Sequence, residues 1–288
     1  MAIRFRYLLL TAVICITNIA TASAASINTA IINKNALVIA SWNIQHLGRG
    51  SKKDYQALGK IGVQFDFIAV QEVMSVEGVD AFEKALEAAS GEPWQSMHSH
   101  LIGSSSYKEM YAFVWRESAV EYLDGAVVYL DPGDLFAREP YSARFLNLKS
   151  NQAFAASTVH IIYGKRIGER VAELEELVNY WQWLEEIYPK TPIMLMGDFN
   201  MPPRHKGWQS LKALGVEPLI TEALGASTLS TKEGVFANLY DNIWVGTNRL
   251  SVGEVGILKF PELLGITNKH ARSHVSDHAP VYMQLLKP

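Results

Sequence analysis

The apolar run Pro192-Ile193-Met194-Leu195-Met196 ends in Gly197-Asp198-Phe199-Asn200. No other segment limits the fold as much. An apolar run this short, closed by a glycine, reads as a buried strand. Side chains two apart on a strand share a face, so Asp198 and Asn200 point the same way where the strand stops. A carboxylate and an amide at a sheet rim suit a hydrated hard cation or a phosphate oxygen. By itself the pair is equally a turn sequence. The rest of the chain decides, because polar, metal-competent residues sit at one end of other β-rich runs. Ser41-Trp42-Asn43-Ile44-Gln45 follows the apolar residues 37–40, and Val70-Gln71-Glu72-Val73 ends the run from Phe67. Ser157-Thr158-Val159-His160 ends another, and Ser276-Asp277-His278-Ala279-Pro280-Val281 opens the last.

A chain of 288 residues is one large domain or two average ones. With 49% apolar residues it can fill a sizeable core. No stretch after the first thirty residues is long enough to cross a membrane. The start reads differently. Arg4 and Arg6 make a positive n-region, residues 7–19 are uncharged, and Ala22-Ser23-Ala24 is a small-residue cleavage site. Residues 1–24 are therefore expected to be a secretory signal peptide, with an uncleaved anchor as the competing reading. Ile14 before Cys15 is too bulky for a lipoprotein site. Cleavage would remove the only cysteine, so the exported protein would have no disulfide and no thiol chemistry. It would also remove two arginines and no acid, taking the formal charge from −3 to −5. A protein that grips DNA by bulk charge is basic. Any nucleic-acid attraction here must come from local Arg/Lys placement and a bound metal.

No repeat, low-complexity tract or linker interrupts the chain. Residues 25–35 read as a loose lead-in and 36–288 as one domain. Ser51-Lys52-Lys53-Asp54 has capping-box spacing and predicts a helix burying Tyr55, Leu58 and Ile61. Val79, Phe82, Ala85 and Leu86 predict a second helix. A third, over residues 171–188, carries Val171, Leu174, Leu177, Val178, Trp181 and Leu184 on one stripe. Its glutamates Glu173, Glu175, Glu176, Glu185 and Glu186 read as the solvated face, and Trp181 and Trp183 as packing. Strands are expected at 110–115, 125–130, 144–148, 154–160, 193–198, 241–245 and 281–286. Strands interleaved with helices mean an α/β class.

Taken with Tyr240-Asp241-Asn242-Ile243, these motifs resemble the endonuclease/exonuclease/phosphatase superfamily, the deoxyribonuclease I-like fold, in the family's order from about residue 37 to 286. The resemblance implies a four-layer α/β/β/α sandwich of two mostly antiparallel sheets flanked by helices, with the site at its top. It also implies metal-dependent phosphoester hydrolysis. Glu72 is then the Mg²⁺ or Mn²⁺ ligand, Asp277 a metal-side carboxylate, and Asn43 a metal-shell or phosphate group. His160 and His278 are the acid–base pair, oriented by Glu109 and Asp241, while Asp198 and Asn200 position water and phosphate. His46, His98, His100, His205, His270 and His274 match no catalytic motif.

Residues 103–116, with Ser-Tyr-Lys-Glu before a Tyr-x-Phe strand, resemble the secreted deoxyribonuclease I branch. There Tyr107 would pack on the sugar, and Arg138, in Arg138-Glu139-Pro140, would contact a phosphate. The expectation is an exported, low-specificity DNA endonuclease, periplasmic or secreted and monomeric, with RNA as the other nucleic-acid substrate. A phosphatase, a sphingomyelinase-like lipid phosphodiesterase, a genotoxin-like subunit and a non-enzymatic binder are the alternatives. Two departures stand out. The pancreatic enzyme has arginines at the positions of Gln45 and Met74, and a disulfide by the loop after Asn200. Weaker minor-groove grip is expected, with Arg204, His205 and Lys206 as substitutes. Asp131 and Asp134 offer a Ca²⁺ loop, although Asp-Pro-Gly-Asp is also a common turn.

Overall fold

The computed structural model describes residues 36–50, 52–247 and 250–287. The expected signal peptide and lead-in lie outside these described residues. The first sheet contains β1 (Ala36–Leu47), β2 (Phe67–Val73), β3 (Trp94–His98), β4 (Met110–Arg116), β11 (Val252–Ile257) and β12 (Val281–Leu286), in the order β11-β12-β1-β2-β4-β3. The second contains β5 (Val120–Val128), β6 (Tyr141–Asn147), β7 (Gln152–His160), β8 (Ile193–Asp198), β9 (Val216–Pro218) and β10 (Asp241–Gly246), in the order β5-β6-β7-β8-β10-β9. The β1–β2 and β7–β8 pairs are parallel and the other pairs antiparallel. This is the expected sandwich.

Helices α1 (Tyr55–Gly62) and α2 (Val76–Ser90) cover the first sheet, and α3 (Ile167–Ile187) covers the second. Leu37 and Ile39 of β1 face the second sheet, whereas Val38, Ala40 and Trp42 face the helices. A strand buried on both faces reads as a continuous apolar run, which is why β1 lacks alternation. Between the sheets Phe67 meets Phe113, Phe145 and Phe154 at 5.5, 4.9 and 5.5 Å between ring centroids. Each such ring contributes about 1.5–3 kcal/mol by leaving water.

Several local expectations need correction. The cap of α1 is Asp54, whose side chain accepts from Ala57 N, so the helix starts later than Ser51 implied. The third helix begins at Ile167, and two of its glutamates are not solvated. Glu173 is 2% exposed and accepts from Ala137 N (3.0 Å) and Ile162 N (3.1 Å). Glu176, also buried, accepts from Tyr129 Oη at 3.2 Å. Loops folded over the helix supply donors that the stripe alone cannot reveal. Strand β5 starts at Val120, not 125, because residues 121–126 lie on an exposed edge with no apolar period.

Gly197 sets the position of the Gly197-Asp198-Phe199-Asn200 corner. Its φ is +157°, and a Cβ there would lie 1.9 Å from Val159 O. Only glycine lets β8 come this close to β7, and that approach delivers Asp198 to its neighbours.

Candidate active site

The register sets the site. In the second sheet His160 pairs with Asp198, and Asp198 pairs with Asp241, so three chemically active side chains form a row at one rim. In the first sheet Asn43 pairs with Gln71, one residue before Glu72. A register shift between Val70 and Val73 turns the chain at Glu72, whose φ is +58°. Such a bulge re-aims a side chain out of the alternation.

Two carboxylate–imidazole pairs face one central oxygen. His160 Nδ1 is 2.7 Å from Glu109 Oε1, and His278 Nδ1 is 2.8 Å from Asp241 Oδ2. The Nε2 atoms of both rings lie 3.6 Å from Asp198 Oδ2. Each carboxylate fixes its ring with Nε2 toward the shared space. Asn200 N donates to Asp198 Oδ1 (2.9 Å) and Asn200 Nδ2 to Ile161 O (2.8 Å), which locks the Asp198 carboxylate. Ser227 Oγ donates to Asp241 Oδ2 at 2.5 Å. Trp42 Nε1 donates to His278 O at 2.8 Å, and His160 N donates to Tyr111 Oη at 2.9 Å.

Burial lowers the pKa of both rings, but the carboxylates outweigh it. Glu109 and Asp198 raise His160 against the opposing Arg138; Asp241, Asp198 and Asp277 raise His278 well above the ordinary value. Burial raises Glu109, yet His160 and Arg138 leave it lowered. A raised histidine stabilises the fold fully below the unfolded pKa, and that stability is lost as pH rises through the folded one. Metal-free protein should therefore lose melting temperature as pH rises above the ordinary histidine pKa of about 6.5. Asp241→Asn should flatten that decline, and an unchanged slope in thermal melts would count against the assignment.

Asn43 Nδ2 donates to Glu72 Oε1 (2.9 Å) and to Asp198 Oδ2 (3.2 Å), joining the oxygen-rich corner to the histidine row. Glu72 Oε2 accepts from His46 N at 3.1 Å, and His46 Nε2 lies 3.5 Å away. Asp277 faces Arg272 at 3.5 Å. The oxygens of Asp198, Asp241 and a ring nitrogen of His278 lie within 4.8 Å of one another, a group that could hold a metal ion. Asp241 already spends both carboxylate oxygens on His278 Nδ1. Glu72 and Asp277, partly exposed, offer hard oxygens that fit a divalent cation better.

Tyr107 is half-buried beside Met74, with Oη 3.9 Å from Sδ. Arg138 is buried behind the row rather than on the surface. Its Nε and Nη2 donate to His160 O at 3.1 and 2.9 Å, and Nε lies 3.4 Å from Glu109. Asp131 Oδ2 accepts from Phe136 N at 2.7 Å, while its buried Oδ1 has no hydrogen-bond partner among the described residues. Sequence reasoning missed Lys53, His46, Tyr111, Ser227 and Ser276. Ser276 Oγ donates to Asn43 O at 2.6 Å and accepts from His278 N at 3.0 Å. Burial lowers the Lys53 pKa to about 8, against the pull of Glu72 and Asp277. Only the Ser276-Asp277-His278 motif carried any signal for these supports.

A model of the Endonuclease/Exonuclease/phosphatase family matches residues 40–278. The chain belongs to this family. A protein named Deoxyribonuclease from Thioalkalivibrio sp. (strain K90mix) is 50% identical over 256 residues, covering 86% of this chain and 70% of that one. Deoxyribonuclease-1 of Gallus gallus is 28% identical over 271 residues, covering 86% and 92%. These relatives make this family member a phosphodiester hydrolase of the deoxyribonuclease I type. A solved family protein of Bacteroides thetaiotaomicron aligns with TM-score 0.64 at 16% identity, over 88% of this chain and 98% of its own. A mannosyl-6-phosphatase of the same species aligns with TM-score 0.61 at 16% identity, over 87% and 99%. At such identities the likeness concerns the fold alone. Among the described residues no helix is long and apolar enough to cross a membrane.

Proposed function

We propose that the chain is an exported, metal-dependent endonuclease that cuts DNA with little sequence specificity. The observation that carries this reading is the pair of buried carboxylate–imidazole dyads whose Nε2 atoms both face Asp198 Oδ2 at 3.6 Å. Hydrolysis of a phosphodiester needs one group to take a proton from water and one to protonate the leaving oxygen. The dyads supply both from opposite sides of one space. Asp198, locked by Asn200, orients the water between them. Glu72 and Asp277 would hold Mg²⁺ or Mn²⁺, and Asn43 orients Glu72 by its hydrogen bond. Bound there, the cation would neutralise phosphate charge and lower the pKa of a coordinated water. A Ca²⁺ at the Asp131–Asp134 turn would satisfy the unpaired Asp131 Oδ1.

Arg138 holds His160 from behind by its carbonyl bonds, and Tyr107 lines the approach next to His46. For a chain of net negative charge, the basic groups beside the site matter. A groove of about 460 Å³ is lined by His46, Arg49, Lys52, Lys53 and Arg272 along with Gln45. It replaces, by local charge, the arginines absent at Gln45 and Met74, and a phosphate backbone fits it. No base-reading element is needed for such a grip.

The test is plasmid nicking by the purified protein with Mg²⁺, with EDTA and across a salt series. Nicking is expected with metal only, and should fall steeply with salt as phosphate contacts release counterions. Arg49→Ala with Lys52→Ala should reduce the log–log salt slope by about two. No nicking by folded protein with Mg²⁺, Mn²⁺ and Ca²⁺ would move the reading to phosphatase and lipid substrates. A mature chain lacking residues 1–24, recovered outside the cytoplasm, would support export.

A further inference from the structure

Lys53 lines the basic groove, but its Nζ is turned to the main chain and donates to Ile44 O (2.8 Å), Gln45 O (2.7 Å) and Val275 O (2.8 Å). Those bonds use all three of its hydrogens. Ile44 and Gln45 directly follow Asn43, and Val275 lies two residues before Asp277. One ammonium group therefore joins the segment that carries Asn43 to the segment that carries Asp277 and His278. The first segment is strained. Gln45 and His46 have φ of 45° and 58°, in the left-handed region that non-glycine residues avoid. That strained turn presents His46 N to Glu72 Oε2 at 3.1 Å, so its shape also sets where Glu72 points.

We propose that Lys53 is a positioning residue for the cation site. It clamps the Gln45–His46 turn to the chain before Asp277, and thereby sets the separation of Glu72 and Asp277. Ser276 Oγ, bonded to Asn43 O, is a second tie between the same segments, but it carries no charge and leaves the Gln45 carbonyl alone. The inference rests on the proposed metal site at Glu72 and Asp277.

Charge and geometry predict opposite signs, which makes the test decisive. Removing a positive charge near two carboxylates strengthens cation binding by simple electrostatics. Releasing the clamp weakens it. In the full-length protein, Lys53→Met is expected to weaken Mn²⁺ binding by isothermal titration calorimetry about tenfold, the size of effect that losing an outer support has on a metal site. In nicking assays kcat should fall in both Lys53→Met and Lys53→Arg, and KM for DNA should stay within about twofold in Lys53→Arg, which keeps the positive charge in the basic groove. Ethylammonium should restore part of the Mn²⁺ affinity of Lys53→Ala by refilling the space, and tetramethylammonium, which has no N–H, should not. Equal or tighter Mn²⁺ binding by folded Lys53→Met would overturn the inference. If that variant fails to fold, Lys53→Arg carries the test at constant charge: its planar fork cannot place three hydrogens as an ammonium does. Weaker Mn²⁺ binding supports the clamp, and unchanged binding overturns it. Wild-type protein that binds no Mn²⁺ would overturn the metal site, and this inference with it.

Discussion

Replacing either His160 or His278 with alanine is expected to slow plasmid nicking by about 10²–10⁴-fold, the usual contribution of a placed general acid or base. Both rings are held the same way, with Nδ1 on a buried carboxylate and Nε2 3.6 Å from Asp198 Oδ2. The bonds from each Nδ1 to its carboxylate fix the rings, while Trp42 Nε1 on the His278 carbonyl and Arg138 on that of His160 fix the backbone that carries them. The loss should appear in kcat, with KM for DNA little changed, since neither side chain lines the basic groove. The two act on one transition state, so the double variant should lose far less than the product of the single losses. Glu109→Gln and Asp241→Asn should each cost less than the corresponding histidine, because they disturb orientation rather than remove the proton carrier. An alanine variant within tenfold of wild type would show that its ring is a structural residue and would leave one proton transfer to another group.

The candidate row at the sheet rim was legible in the sequence because strand ends are where apolar periodicity stops and polar residues begin. Asp198 and Asn200 announced themselves by spacing two on a short apolar run, and Gly197 marked the close approach to Val159 that puts them there. The dyads needed the resemblance, since nothing local ties Glu109 to His160, 51 residues away. Lys53 was illegible for a physical reason. Its partners are backbone carbonyls, which every residue has, and Val275 is 222 residues distant. Glu173 misled because a glutamate on a helix next to other glutamates has the pattern of a solvated face. Only the loops at Ala137 and Ile162 turn it into a buried acceptor. Edge strand β5 was misplaced because exposed side chains leave no apolar period to read.

Glu72→Gly should abolish metal-dependent nicking, by at least about a hundredfold, while leaving the protein more stable than Glu72→Ala does. The usual order is the reverse, since glycine ordinarily costs more backbone entropy than alanine. Here φ at Glu72 is +58°, a conformation that glycine adopts without strain and alanine does not. Both variants lose the same two bonds, from Asn43 Nδ2 and His46 N, at about 1.5–3 kcal/mol each for a charged acceptor. They differ in the strain, worth about 1–3 kcal/mol for a side chain held at such a φ, set against about 0.5–1 kcal/mol of extra backbone entropy lost by glycine. At roughly 2–4 °C per kcal/mol for a chain of this size, Glu72→Gly should melt measurably above Glu72→Ala. That order, with both inactive, would mean the bulge in β2 stores strain to aim one carboxylate at the site. Equal melting temperatures would mean the turn relaxes once the carboxylate is gone, and that the carboxylate, rather than its neighbours, holds the chain in that shape.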